Sequence, residues 1–294
     1  MPSNTPNKVK YGLKNAHYAL LTIGEDGTVT FGTPVAIPGS VNLTMDAQGD
    51  TSTFYADNMA YFVTAANGGY SGTFEVALIP ESFRTDVLGE SLDSSAGVLV
   101  ENVNNQTSPF ALMFEFEGDQ KAIRHILYNV TCTRPSVSGS TTTNTTEPTT
   151  ETMNLTASPL PNGVTKARTT ASTPDVQYAA WYDAVWQPLG SLVVTSEAGA
   201  ESGKTKLTVA PAKAAGNTYK TKTGESVELP DYGENVSAGR TEWDGAEEIT
   251  ATTGQQIAVI EVNASSQAIA VDLVTVPAKG GGGWTRPLRL TASR

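Results

Sequence analysis

Phe110-Ala111-Leu112-Met113-Phe114-Glu115-Phe116-Glu117 is the stretch whose reading decides the fold. Side chains of an extended chain alternate in direction. Phe110, Leu112, Phe114 and Phe116 therefore share one side, while Ala111, Met113, Glu115 and Glu117 share the other. Four large apolar groups against a side ending in two carboxylates predict a strand with one buried and one wet face. Gly118-Asp119-Gln120 supplies a turn, and residues 121–132 follow as a partner strand with two mixed faces.

The same period of two recurs in Val41-Asn42-Leu43-Thr44-Met45-Asp46, in Thr73-Phe74-Glu75-Val76-Ala77-Leu78 and in Met153-Asn154-Leu155-Thr156-Ala157. The chain is expected to be mainly β. Two short helices interrupt the strands: residues 80–88, with Phe83, Val87 and Leu88 at helical spacing before Gly89, and residues 175–186, with Tyr178, Trp181, Tyr182 and Val185 as a stripe before Pro188. Aromatic residues in such a stripe serve a core or a docking contact. Residues 136–152 are almost wholly Ser, Thr, Asn, Glu and Pro, too polar to fold alone, and form a loop within the first domain.

We place a domain boundary near Gly190. Beyond it, short runs at residues 191–196, 204–209, 257–262 and 268–276, separated by Gly, Pro and Asn, predict a small all-β module over 191–279. Residues 280–294 are a Gly-rich spacer and a tail carrying Trp284. Charge divides unevenly, with 18 acids and 9 bases up to Gly190 against 12 and 10 after it. Most of the net −11 thus lies on the first domain.

Composition excludes several functions. One cysteine in 294 residues, Cys132, rules out a disulfide scaffold and any multi-cysteine zinc site. Cys132 ends a strand and reads as a small buried apolar residue. Two histidines, His17 and His125, leave little material for His-based metal or triad chemistry, and His125 reads as structural. The acidic balance disfavours a protein that grips phosphates, because nucleic-acid affinity comes largely from neutralising phosphate charge. No apolar run approaches the ~18 residues of a membrane span. Residues 16–23 only superficially resemble a secretory signal, since Glu25 and Asp26 follow and no small-x-small cleavage site appears. A product assembled in the cytoplasm is expected.

No catalytic constellation stands out, and neither cofactor nor metal is expected. Gly203-Lys204-Thr205 has a phosphate-loop ending without the upstream glycine. Glu115 and Glu117, at i and i+2 on one strand, lie about 7 Å apart, within the range of glycosidase acid and base pairs. A solvated strand face accounts for them as well. Asp46, Glu75, Glu115 and Glu117 all fall on polar sides of strands with apolar opposite sides. They imply one sheet with an acidic face, which in a ring of subunits could line a channel and repel phosphate.

The order of features over the first 190 residues resembles the major tail proteins that build the tail tube of long, non-contractile-tailed bacteriophages. The resemblance rests on Val9-Lys10-Tyr11-Gly12-Leu13-Lys14-Asn15-Ala16-His17-Tyr18, Pro38-Gly39-Ser40-Val41, Tyr55-Ala56-Asp57-Asn58 and Gly69-Tyr70-Ser71-Gly72-Thr73-Phe74-Glu75. It continues through Ile79-Pro80-Glu81-Ser82-Phe83, Arg134-Pro135 and Trp181-Tyr182-Asp183-Ala184-Val185-Trp186. It implies a sandwich-like, barrel-forming tube domain with a flanking helix, six copies closing into a ring around a continuous inner barrel, and rings stacking head to tail. Residues 47–68 would be the long loop that touches the next ring. The acids Asp46, Glu75, Glu115 and Glu117 would face a lumen through which genomic DNA passes without specific binding. The implied partners are other copies of the chain and the tape-measure, tail terminator and distal tail proteins.

The module after Gly190 resembles accessory β domains at the C-termini of phage structural proteins, on Ser202-Gly203-Lys204-Thr205-Lys206, Trp243-Asp244-Gly245 and Thr253-Gly254-Gln255. That likeness implies an outward-projecting module with Trp243 and Trp284 on its surface and a host-surface glycan as a possible ligand. Two other readings stay open at this point: a host-surface or carbohydrate-binding adhesin, and a glycan hydrolase using Glu115 and Glu117.

Overall fold

The computed structural model describes residues 5–25, 29–141 and 148–277. The chain divides into two compact units, the first ending at Val185 and the second beginning at Trp186. Both are mainly β.

The first unit contains β1 (Lys10–Ile23), β2 (Val29–Phe31), β3 (Val35–Ile37), β4 (Ser40–Gln48), β5 (Thr51–Ala56), β6 (Met59–Ala65) and β7 (Gly69–Val76). Helix α1 (Glu81–Asp86) follows, then β8 (Ser91–Asp93), β9 (Val98–Val100), β10 (Phe110–Gly118), β11 (Ile123–Cys132), β12 (Glu151–Ser158) and β13 (Lys166–Arg168). The unit closes with α2 (Asp175–Ala179) and a 3-10 turn (Ala180–Tyr182).

One sheet runs in the order β2-β1-β10-β11-β12-β7-β4, with β3 also on β1 and β13 also on β11. Neighbours pair antiparallel throughout. Strand β3 borders one end of this path and β4 the other, and only Pro38 and Gly39 separate them in sequence. The chain thus turns a corner that curls the sheet around its own apolar face. Gly39 makes the turn at φ +81°, a conformation that glycine adopts at little cost.

Inside the curl lie Tyr18, Phe74, Val76, Phe110, Leu112, Phe114, Leu127, Val130, Met153 and Leu155, with Phe83, Val87 and Leu88 arriving from α1 and the residues after it. Phe83 meets Tyr18 and Phe110 edge-on, with centroids 5.1 and 5.4 Å apart. The Tyr18 hydroxyl donates to Asp86 at 2.9 Å, tying α1 to β1, and burial pushes its pKa up to about 12. Cys132 lies in the same core, and burial pushes its thiol up to about 11.

The alternation expected of β10 is present, but its second face is not wet. Ala111 and Met113 are fully buried, as are Ile126 and Tyr128 on β11. Trp181 and Val185, more than 50 residues later in the sequence than Tyr128, are buried too. An extra residue in β11, where the register slips between Phe110 and Leu112, turns Tyr128 to the same side as Asn129. From there on, the outer side of β11 changes from apolar to polar.

The second unit contains β14 (Gly190–Ser191), β15 (Val193–Ala198), β16 (Lys204–Ala210), β17 (Thr218–Gly224), β18 (Thr241–Trp243), β19 (Ile249–Thr250), β20 (Gln256–Val262) and β21 (Ala268–Thr275). They form a five-stranded sheet, β14-β21-β20-β17-β18, and a three-stranded sheet, β15-β16-β19. Strand β20 is buried on both faces: Ile257 and Val259 pack with Leu207, Tyr219 and Trp243, while Ala258, Ile260 and Val262 pack with Val227 and Val236. Buried Glu261 accepts from the Ala214 amide at 2.8 Å and the Asn217 amide group at 2.7 Å, which fixes the loop into β17.

His125 makes the first unit sensitive to acid. Its ring stacks flat on Phe114 with centroids 5.1 Å apart, its Nε2 has no partner among the described residues, and burial together with Arg168, Lys10 and Lys166 holds its pKa down to about 4. The folded state therefore refuses a proton that the unfolded chain accepts below its ordinary value of 6.5. Stability falls as pH drops from about 6.5 to about 4, by about 3 kcal/mol from this group. His125→Phe keeps the stack and removes that loss, so denaturant melts of the two proteins should diverge with acidity; parallel pH profiles would place the ring in water.

Candidate functional site

Assembly surfaces are the features of the first unit that could carry function, and they start from backbone register. On the outer side of β4, β7, β12 and the end of β11, directly paired residues form rows: Thr44, Thr73 and Asn154 in one, Asp46, Ser71, Thr156 and Thr131 in the next. Flanking rows contain Asn42, Glu75 and Thr152 on one side and Gln48, Ser158 and Asn129 on the other. Hydroxyls and amides dominate, two carboxylates interrupt them, and no Lys or Arg occurs in these rows. A shallow groove crosses this face, lined among others by Asp46, Ser71, Thr73, Thr131, Asn154 and Thr156.

Two further features adjoin the face. Among the described residues strand β4 ends the sheet path, so its nine residues present an unpaired edge. Gly72 explains how closely β4 lies on β7: a Cβ there would sit 1.9 Å from the Thr44 carbonyl oxygen. Between β4 and β7 rises the β5–β6 hairpin, turned by Asp57 and Asn58 at positive φ. Phe54, Tyr55, Met59, Tyr61, Phe62 and Val63 along it are 55–70% exposed. A concentration of exposed large apolar side chains marks a contact surface.

The four acids do not act together. Asp46 and Glu75 lie on the bare polar half of the outer face. Glu115, expected to be wet, is 3% exposed. Its Oε1 accepts from Asn15 at 2.8 Å and lies 3.8 Å from Lys14 Nζ, while its Oε2 accepts from Arg124 Nε at 2.9 Å and Tyr182 Oη at 3.3 Å. Glu117 stays half-exposed and pairs with Lys14. The physical reason is the aromatic cover. Arg124 has Tyr178 3.8 Å from its guanidinium and Tyr182 5.0 Å from it, and it donates to the Tyr178 carbonyl. His17 stacks on Tyr182 at 4.5 Å.

This arrangement corrects the hydrolase reading. A carboxylate enclosed by Arg124, Lys14, Asn15 and Tyr182 has no free lone pair aimed at a substrate or a water. Burial and the Glu115 carboxylate both push the Tyr182 phenol up, so it stays a neutral donor. Among the described residues no group of three His, Cys, Asp or Glu could hold a metal ion.

Trp243 is likewise corrected from surface to core. It is 6% exposed, packs on Tyr219 at 5.7 Å and donates from Nε1 to the Glu247 carbonyl at 2.8 Å. Trp284 lies outside the described residues. What sequence reasoning missed was the hydroxyl-rich face, although its signal is visible in Ser71, Thr73, Thr131, Thr152, Asn154 and Thr156 at alternate positions.

Breaking the buried pair leaves a charge without compensation, which costs about 3–5 kcal/mol. Glu115→Ala should lower unfolding free energy by that amount, whereas Glu117→Gln should leave the melt nearly unchanged. Equal effects would mean that Glu115 is as wet as its neighbour. Trp243→Ala should cost about 3–5 kcal/mol in the second unit, read as an earlier unfolding transition of that unit by calorimetry.

Comparison with known proteins follows the same division. The profile of the family described as "Phage tail tube protein" matches residues 2–187, and that of "S-layer protein SbsC C-terminal domain" matches residues 197–279. No curated protein sequence matches the chain. Among solved structures, the anti-feeding prophage cap, a tube terminating cap, is 13% identical over 57% of this chain and 97% of its own, with a TM-score of 0.33. Domains 7, 8 and 9 of the S-layer protein SbsC are 13% identical over 92% of this chain and 70% of theirs, with a TM-score of 0.29. At those scores neither structure adds to the argument. The family match spans well over half of the chain, and by it this protein, a structural component of the phage tail, belongs to the phage tail tube protein family.

Proposed function

We propose that the first unit is the repeating subunit of a tail tube: six copies close into a ring through their sheets, and rings stack into a hollow cylinder. The observation that carries this reading is the outer face of β4, β7, β12 and β11, bare, four strands wide and without a cation. Turned inward, it would give a lumen of hydroxyls and amides with only Asp46 and Glu75 charged in each copy. DNA would meet no Lys or Arg there to hold its phosphates and no dense negative wall to stall it. Glu115 and Glu117 take no part in this lining.

The unpaired edge of β4 supports ring closure, since a strand edge is satisfied by pairing with a neighbour and a closed ring leaves none open. The β5–β6 hairpin supports stacking. Its apolar side chains are the anchor type that buries well against another subunit, and it is the counterpart of the long loop expected between residues 47 and 68. Contacts of this kind are heterologous, closed around the ring and open along the axis. Tape-measure, terminator and distal tail proteins would fill and end such a tube. The second unit, which begins at Trp186, would be an appendage on the outside of the tube.

Electron microscopy of the purified full chain at high concentration tests the reading, with hollow tubes of stacked rings expected. Thr73→Lys with Thr156→Lys should leave tubes intact and reduce DNA delivery by assembled particles, most strongly at low salt, because new cations bind phosphate. Delivery unchanged at every salt concentration would remove this face from the lumen. Tyr61→Asp with Phe62→Asp should leave rings and abolish tubes.

A further inference from the structure

Strands β5 and β6 form a sheet of their own, and neither contains a buried residue. A two-stranded hairpin standing alone in water is marginally stable at best. This one also leaves Phe54, Tyr55, Met59, Tyr61, Phe62 and Val63 in solvent, with Phe54 directly opposite Phe62 across the ladder. Such a surface calls for a cover that is itself partly apolar. The charges around it add a sign to that requirement. Asp50 lies at the root of the hairpin, Asp57 at its tip and Asp46 on the strand that leads into it. All three are exposed, and none takes part in an ion pair among the described residues. Residues 15–83 contain neither Lys nor Arg. Lys166 comes as far as the Tyr70 ring, at the start of β7, and pairs with none of the three acids.

One segment of this chain has the complementary composition. No acid occurs after Asp272, while Lys279, Arg286, Arg289 and Arg294 put four of the 19 cations beyond Ala278. Trp284, Leu288 and Leu290 are interspersed with them, an aromatic and two aliphatic groups that share one side when a chain is extended. These residues lie outside the described part of the structure, which ends at Pro277. From Pro277 to Trp284 a chain can span at most about 25 Å.

We propose that residues 284–294 of one copy cover the β5–β6 hairpin of a second copy in the adjacent ring, with Trp284 packed on its aromatic side chains and Arg286 and Arg289 paired with its acids. The inference rests on the stacked-ring reading and names the partner of the hairpin within it. Trp and Arg are the residue types that concentrate binding energy at interfaces. A guanidinium can also lie over a tyrosine ring while it pairs with a carboxylate, and the hairpin offers both groups. A tail that covered the hairpin of its own copy would use up the apolar contact on which stacking depends. A neighbour's tail turns the same burial into a joint between rings.

The test replaces Trp284 in the full chain by the photoreactive aromatic p-benzoylphenylalanine and irradiates assembled tubes. Expected is a species of twice the chain mass on denaturing gels. In it residue 284 should be joined to the peptide 15–84, which trypsin leaves whole, and within that peptide to residues 51–65. A separate variant, Trp284→Ala with Arg286→Glu and Arg289→Glu, should form rings but about tenfold fewer tubes, with an unchanged melting curve. Tubes in wild-type yield from this variant would overturn the inference. So would links confined to single chains, which would make each tail the cover of its own hairpin, or links to any other part of the neighbour. The tube reading would survive each of those results. It would fall, and this inference with it, if the unaltered chain formed neither rings nor tubes even with tail initiation proteins added.

Discussion

Burial of the β10–β11 pair on both faces is the constraint on which the first unit depends. One face closes the curled core, and on the other Tyr178 and Tyr182 cover Arg124 and Glu115. A strand pair enclosed in this way cannot leave a carboxylate unpaired. Glu115 is compensated by two cations and two neutral donors, and the groups that compensate it come from β1, β11 and the aromatic turn. The ion pair thus fastens the last segment of the unit to its central hairpin. It also divides the outer side of one continuous sheet into a covered half and a bare half.

Much of this was legible in the sequence. Alternation located the long strands, and the Gly118 turn implied the hairpin whose register sets Glu115 opposite Arg124. The aromatic stripe at 178–185 was readable as core or docking material. What alternation could not show was where that stripe would dock, because its target lies more than 50 residues earlier. Ala111 and Met113, apolar on the supposedly wet side, were the local hint. The acids were misread as a group for the same reason: strand parity says that they share a side of the sheet, and only the tertiary cover separates Asp46 and Glu75 from Glu115.

The second unit repeats the principle with different parts. Its central β20 is apolar on both sides, and the one acid in that strand, Glu261, is used up in holding the loop from Ala214 to Asn217. Trp243 belongs to this core. From sequence, an isolated Trp beside Asp and Gly in a turn-rich stretch is indistinguishable from a ligand platform, because strand β18 is only three residues long and shows no period. Its burial takes away the anchor of a glycan-binding role for that residue.

Cys132 has a further consequence. Its thiol is enclosed in the core and held in the protonated form by burial. In the proposed tube any side chain of the subunit is multiplied along the whole assembly, and a virion outside the cell meets an oxidising medium. An accessible thiolate in each repeat would form a ladder of crosslinking points, stiffening some particles and welding others together. With Cys132 sequestered, the described residues offer no accessible thiolate to such a change of redox environment.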